Sequence, residues 1–154
     1  IEPNEQLRHL GARMKYSPLH EQLRGKRVVM VDDSIVRGTT TDKLVKMLLD
    51  AGAIEVHVRI SAPPVKHPCF YGIDMANQID LIAHRMDEDA ICKSIGATTL
   101  GYLSREGVIK AIDRPMDRFC RACFDGEYPI HVPDDLRRTK EQFEVVKEKV
   151  LATA

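Results

Sequence analysis

The sequence predicts an α/β fold, a parallel sheet flanked by helices, and three observations predict it. Residues 28–31, VVMV, form a continuous apolar run that ends in Asp32 and Asp33, the pattern of a strand buried on both faces of a parallel sheet. Residues 54–60, IEVHVRI, alternate apolar and polar until Ala62, Pro63 and Pro64 stop them, which marks a second strand ending in a rigid loop. A helical period lies between the two, and the same alternation continues along the chain, as expected of helices laid over a parallel sheet.

Each element has its own local reason. Residues 1–27 carry Pro3, Gly11, Pro18 and Gly25 among basic side chains with no sustained apolar period, so a loop with one short helix is expected. Residues 42–51 place Leu44, Val45, Leu48 and Leu49 on one broad face before Gly52, predicting a helix with a glycine stop. Helical patterns cover residues 79–86 and 89–95, with Gly96 ending the second, and residues 98–103 are a third strand candidate. Ser104 then caps a helix running through Ile112. Pro133 opens a last helix, residues 134–151, acidic in its first turn and lysine-rich later, an arrangement that suits the helix dipole. The domain reading is residues 1–131 as one α/β domain and residues 132–154 as a helical tail.

The chain of 154 residues is 44% hydrophobic and 30% charged, enough for one domain with a single core. Basic and acidic side chains balance at 23 each, so no overall field argues for nucleic acid or an anionic membrane as partner. An anion site must be local. No apolar run approaches the roughly 18 residues of a membrane span, and the opening IEPNEQLRHL lacks the regions of a signal peptide. A cytoplasmic protein is expected, possessing four cysteines, of which the pair Cys120 and Cys123 suits metal binding or redox chemistry in a reducing compartment. An initial Ile in place of Met suggests a piece of something longer.

In open parallel sheets ligands bind beyond the carboxyl ends of the strands, and the most polar such end here is Asp32-Asp33 followed by SIVRGTTT. Gly38 permits backbone conformations closed to other residues, Ser34, Thr39, Thr40 and Thr41 supply hydroxyls, and the N–H groups at the start of the next helix converge on an anion. A single carboxylate near a helix dipole gains only about 0.3 to 2 kcal/mol, so several directed hydrogen bonds must supply most of the affinity of such a cradle. Two carboxylates facing a phosphate would repel it. They fit better on a sugar's hydroxyls and on Mg2+, so a phosphorylated ribose satisfies both halves. The plainer alternative is that Asp-Asp-Ser only turns the chain.

The run VVMVDDSIVRGTTT resembles the phosphoribosyl diphosphate motif of type I phosphoribosyltransferases, and as VDDSIVRGTTT it is similar to that of the amidophosphoribosyltransferase family. The segments APP, HPCFYGIDM, DLIA, IGATTLGYLS and CFDGEYP follow in that family's order. The resemblance implies a type I phosphoribosyltransferase-like fold, incomplete at its N-terminus, with residues 1–27 as a flexible-loop segment. It implies Asp32 and Asp33 on the ribose hydroxyls and Mg2+, and Ser34, Ile35, Val36, Arg37, Gly38, Thr39, Thr40 and Thr41 on the 5-phosphate. Arg8, Arg13 and Lys15 would lie in the closing loop, with Lys15 joining Asp32 and Asp33 in catalysis. The implied reaction is displacement of pyrophosphate by ammonia to give 5-phosphoribosylamine, opening de novo purine synthesis. Implied partners are phosphoribosyl diphosphate, purine nucleotide inhibitors, an N-terminal glutaminase domain missing from this sequence, and further copies in a homo-oligomer.

Cys69, Cys120 and Cys123 resemble three of the four ligands of an iron-sulfur cluster (4Fe-4S) in one subgroup of that family, with a fourth expected upstream. Zinc on these cysteines with His67 or His131 is the alternative. Cys92 reads as a small buried hydrophobe, Asp74 as a helix cap or, with Met75, a pocket residue, and His57 and His84 as structural or exposed. Two other functions compete. A non-catalytic regulator could sense phosphoribosyl diphosphate, and VVMVDDS before a helix also resembles the start of a response-regulator receiver with Asp74 as phosphoacceptor.

Overall fold

A computed structural model describes residues 16–73, 75 and 77–133. The chain-opening basic residues Arg8, Arg13 and Lys15, Asp74, and the expected helix over 134–151 fall outside the described residues. The elements run α1 (His20–Leu23), β1 (Arg27–Asp32), α2 (Thr39–Asp50), β2 (Glu55–Ile60), α3 (Ile82–Arg85), α4 (Glu88–Ser94), β3 (Thr99–Tyr102), α5 (Arg105–Ile112) and α6 (Ala122–Asp125). Short 3-10 turns occupy Gln78–Asp80 and Met116–Arg118.

The three strands form one parallel sheet in the order β1-β2-β3. Arg27 stands opposite Glu55 and Asp32 opposite Ile60, while His57 stands opposite Thr99 and Ile60 opposite Tyr102. One face carries the core. Val56, Val58 and Ile60 of the central strand are buried with Ile35, Val45, Ile82, Ile91 and Ile95, and Val28, Met30, Leu48, Leu100 and Tyr102 pack against them. Side chains alternate along a strand, so the intervening residues lie on the other face. There Glu55 and His57 meet at 2.9 Å, His57 and Thr99 at 2.9 Å, and Arg59 donates to Thr99 at 3.0 Å.

That second face corrects the expectation for β1. Its apolar run predicts full burial on both sides, yet Val29 is 63% and Val31 71% exposed. No described element covers them, and composition alone does not say which layer lies above a strand. A second correction concerns residues 79–86: one helix was expected, but the segment is a 3-10 turn followed by a single α turn, broken at Leu81, whose backbone is extended. Leu81 is fully buried, and burying it favours the break over a continuous helix.

The helix starts follow the sequence more closely. Asp87 accepts from the Ala90 N–H at 2.8 Å and Ser104 accepts from the Gly107 N–H at 2.9 Å. Replacing either cap by Ala is expected to cost about 1 kcal/mol, read as a lower midpoint with unchanged slope in urea melting.

Candidate functional site

The candidate site lies at the carboxyl end of the sheet, where β1 gives way to α2. Asp32 is tied to the neighbouring strand through its carbonyl, which accepts from the Ser61 N–H at 3.0 Å and from Ser61 Oγ at 3.2 Å. Asp32 Oδ1 accepts from the Asp33 N–H at 2.9 Å, and Ser34 Oγ donates to Asp33 Oδ1 at 3.0 Å. Each acid therefore keeps its second oxygen without a protein partner among the described residues. Two adjacent carboxylates with one oxygen each to spare, at an open strand end, suit a hard cation or vicinal hydroxyls.

The loop is anchored before it is displayed. Ile35 is 1% exposed and belongs to the main core, and Val36 packs against a second, smaller cluster. Their side chains point inward, so these two residues can offer a ligand only backbone. Gly38 has φ +81, a left-handed conformation that suits glycine, and α2 begins at the next residue. A Cβ at Gly38 would come within 2.8 Å of Ile82 Cδ1, so the position admits no side chain without displacement. The first intrahelical bond runs from the Asp42 N–H to the Gly38 carbonyl. Among the described residues, no carbonyl of another element accepts from the N–H groups of residues 34–40, and these end at the positive end of a twelve-residue helix. Such a start is suited to an anion.

The hydroxyls divide. Thr39 and Thr40 are exposed, whereas Thr41 is 3% exposed and faces the protein. Arg37 is turned aside, paired with Asp80 at 3.1 Å. Sequence reading missed Asp80 and Ser61 as supports of the loop. Asp80 is 43 residues from its partner, and no local period signals such a contact.

No family model matches the chain. Curated proteins do match: the amidophosphoribosyltransferase of Synechococcus elongatus is 51% identical over 146 residues, 95% of this chain. Its relatives are amidophosphoribosyltransferases. That of Bacillus subtilis is 52% identical over 139 residues, 88% of the chain. The solved glutamine phosphoribosylpyrophosphate amidotransferase of B. subtilis, complexed with ADP and GMP, superposes with a TM-score of 0.76, covering 88% of this chain and 30% of that one. A second solved chain, described as the allosteric regulatory enzyme of purine biosynthesis, gives 0.76 at 51% identity over 91% of this chain and 31% of that one. This chain thus spans about three tenths of the amidophosphoribosyltransferases it matches. The parallel sheet with flanking helices is consistent with their type I phosphoribosyltransferase fold.

The cysteine segments that resemble those of amidophosphoribosyltransferases meet in space. Lys66 and His67 donate their N–H groups to the Cys123 carbonyl at 2.9 and 3.0 Å, and the Tyr71 N–H donates to Cys69 Sγ at 3.3 Å. Tyr128 Oη donates to the Pro68 carbonyl at 2.7 Å, and Tyr71 Oη donates to the Ile130 carbonyl at 2.6 Å. Burial pushes the Cys123 thiol up, and Cys120 and Cys69 lie near enough to raise it further. Cysteine thiols have the donor chemistry for a cluster or zinc. Among the described residues, however, no group of three or more His, Cys, Asp or Glu is set to hold a metal ion. Cys92 lies apart and partly buried, its thiol donating to the Ala97 carbonyl at 3.3 Å.

Tyr102, at the end of β3, has a buried Oη with no hydrogen-bond partner among the described residues. Burial, with Glu88 adding to it, pushes its phenol up to about 12. A raised value means the folded state resists ionisation, so this contribution to stability is complete below the ordinary phenol value near 10 and is lost as pH rises towards 12. Tyr102→Phe is expected to melt at or above the parent temperature at pH 7, because it removes an unsatisfied buried hydroxyl. It should also lose less stability between pH 10 and 12, which thermal melts followed by circular dichroism would show. No helix among the described residues is long and apolar enough to cross a membrane.

Proposed function

We propose that this chain is the part of an amidophosphoribosyltransferase that holds the 5-phosphate and ribose of phosphoribosyl diphosphate, with Mg2+. The observation that carries the reading is the acidic turn directly before a glycine-started helix, in a chain about 50% identical to those enzymes over almost its whole length. Asp32 and Asp33 face the ribose hydroxyls and the metal, and the backbone of residues 34–40, with the hydroxyls of Thr39 and Thr40, faces the phosphate. Bound Mg2+ supplies charge neutralisation to the departing pyrophosphate. The chain's own contribution is position and exclusion of water around a centre that becomes cationic as the bond breaks.

The whole protein then makes 5-phosphoribosylamine from phosphoribosyl diphosphate and ammonia released by a glutaminase portion, with Lys15 among its catalytic residues. Purine nucleotides are the inhibitors this reading expects, in line with the ADP and GMP held by the B. subtilis enzyme. A cytoplasmic homo-oligomer completes it. Calorimetric titration with phosphoribosyl diphosphate, with and without Mg2+, tests the reading. Metal-dependent binding supports it, and no heat in either condition sinks it.

A cluster on Cys69, Cys120 and Cys123 with a fourth ligand from outside the described residues belongs to the same reading. Its support is the meeting of the two cysteine loops. Iron, sulfide and zinc analysis of anaerobically purified protein separates a cluster from zinc held with His67 or His131. When bound, either would cross-link the two loops.

The receiver reading loses to topology. In the receiver order 2-1-3-4-5 the first strand lies between the second and third, whereas here β2 is central. A phosphoribosyl diphosphate-sensing regulator would bind in the same titration but show no pyrophosphate release when ammonia is added.

A further inference from the structure

The candidate phosphate loop does not rest on the main core alone. Val36 packs with Met75, Cys123 and Phe124 against a separate buried pair, Val65 and Leu81, and Leu81 is 0% exposed. Around Leu81 the chain holds the loop by three further means. Asp80 pairs with Arg37 at 3.1 Å, the Ile82 N–H donates to the Val36 carbonyl at 2.9 Å, and Ile82 Cδ1 occupies the space that a side chain at Gly38 would need. Three consecutive residues, 80–82, thus grip three consecutive residues of the loop, 36–38.

The opposite side of this small core is the cysteine region. Cys123 packs against it while its carbonyl takes the N–H groups of Lys66 and His67. Gln78 adds a polar link, its Nε2 lying 3.5 Å from His67 Nδ1 and 3.3 Å from His84 Nδ1.

We propose that Asp80, Leu81 and Ile82 are positioning residues for the phosphate loop, and that through the Val65 and Leu81 pair the seat of that loop depends on the packing of Cys123. The physical reason is the size of the cluster. Two fully buried side chains with four partial neighbours have little capacity to relax around a void, so a change on the Cys123 side shifts Leu81 and with it Val36. The Arg37 and Asp80 pair is half exposed and contributes little by itself. Burial and the backbone bond do most of the holding. Amides that must converge on one anion tolerate only small displacements, so the seat governs binding without touching a ligand.

Hydrogen exchange at the loop, read at the two amides that bond to its carbonyls, Ile82 N–H to Val36 and Asp42 N–H to Gly38, tests this in the absence of any ligand. Leu81→Ala and Cys123→Ala are each expected to speed exchange of these two amides by roughly fivefold relative to β2, the effect of about 1 kcal/mol of lost local stability. Asp80→Asn should act in the same direction and less. Cys92→Ala, whose thiol donates to the Ala97 carbonyl away from this small cluster, should leave the loop at the parent rate. Leu81→Met, which conserves volume, should restore slow exchange, and it keeps the test intact if Leu81→Ala does not fold. Loop exchange unchanged in Cys123→Ala, or raised only in step with β2, overturns the dependence on Cys123. Parent-like loop exchange in Leu81→Ala, or fast exchange in Leu81→Met, overturns the positioning role. A second arm rests on the functional reading above: phosphoribosyl diphosphate with Mg2+ should bind Cys123→Ala several-fold more weakly than the parent. A parent that does not bind strikes that reading and leaves the exchange result to decide this one.

Discussion

Changing Asp32 and Asp33 together to Asn is expected to weaken phosphoribosyl diphosphate binding in the presence of Mg2+ by a hundredfold or more. Hydrogen bonds to a charged partner contribute about 1.5 to 3 kcal/mol each, and two such losses exceed the roughly 2.8 kcal/mol that corresponds to a hundredfold. Asn retains an oxygen for the Asp33 N–H and for Ser34 Oγ, which the two Oδ1 atoms now engage. The Asp32 carbonyl that ties β1 to Ser61 is also untouched. The melting temperature should therefore hold while the affinity falls, a split that separates ligand contact from structural damage. Calorimetry on parent and double variant, each with and without Mg2+, reads it directly. Equal affinities would remove these acids from the site, and a parallel loss of fold would make them structural.

Gly38→Ala is expected to damage both stability and binding. The residue sits at φ +81, where an L side chain costs about 1 to 2 kcal/mol, and the new methyl would lie 2.8 Å from Ile82 Cδ1. Ile82 is 5% exposed in the main core, so moving it disturbs packing below the loop. A stability loss of about 2 to 3 kcal/mol is expected from the two effects together, seen as a lower urea midpoint, with ligand affinity down at least tenfold. Combining it with Ile82→Val relieves the contact but not the backbone strain. The pair should therefore regain part of the affinity and little of the stability. Full recovery would show that crowding alone matters at this position.

The local structure of the candidate site was more legible than its surroundings. VVMV before Asp32-Asp33 and the run SIVRGTTT before an amphipathic period are local signals, and they placed a strand, a turn and a helix start within a few residues of where they lie. The cap at Ser104 is equally local, a side chain reaching its own helix three residues on, whereas the Asp87 cap, just as local, went unread where a helix was expected from residue 89. Residues 79–86 read as one helix because their period is helical, and only the burial of Leu81 against Val65 broke them into two turns. The spare apolar face of β1 misled for the same reason, since apolar residues announce burial without naming what buries them.

By itself, then, the sequence determined what depends on neighbours along the chain: the strand and helix periods, the acidic turn, the glycine that opens α2 and the capping residues. Tertiary structure alone decided the order β1-β2-β3, the ion pair of Arg37 with Asp80 across 43 residues, and the small core in which Val36 and Cys123 share the same buried pair. The division is physical. Backbone sterics and capping act over a few residues, whereas packing depends on which surfaces the chain brings together, and that is settled only when the whole core closes.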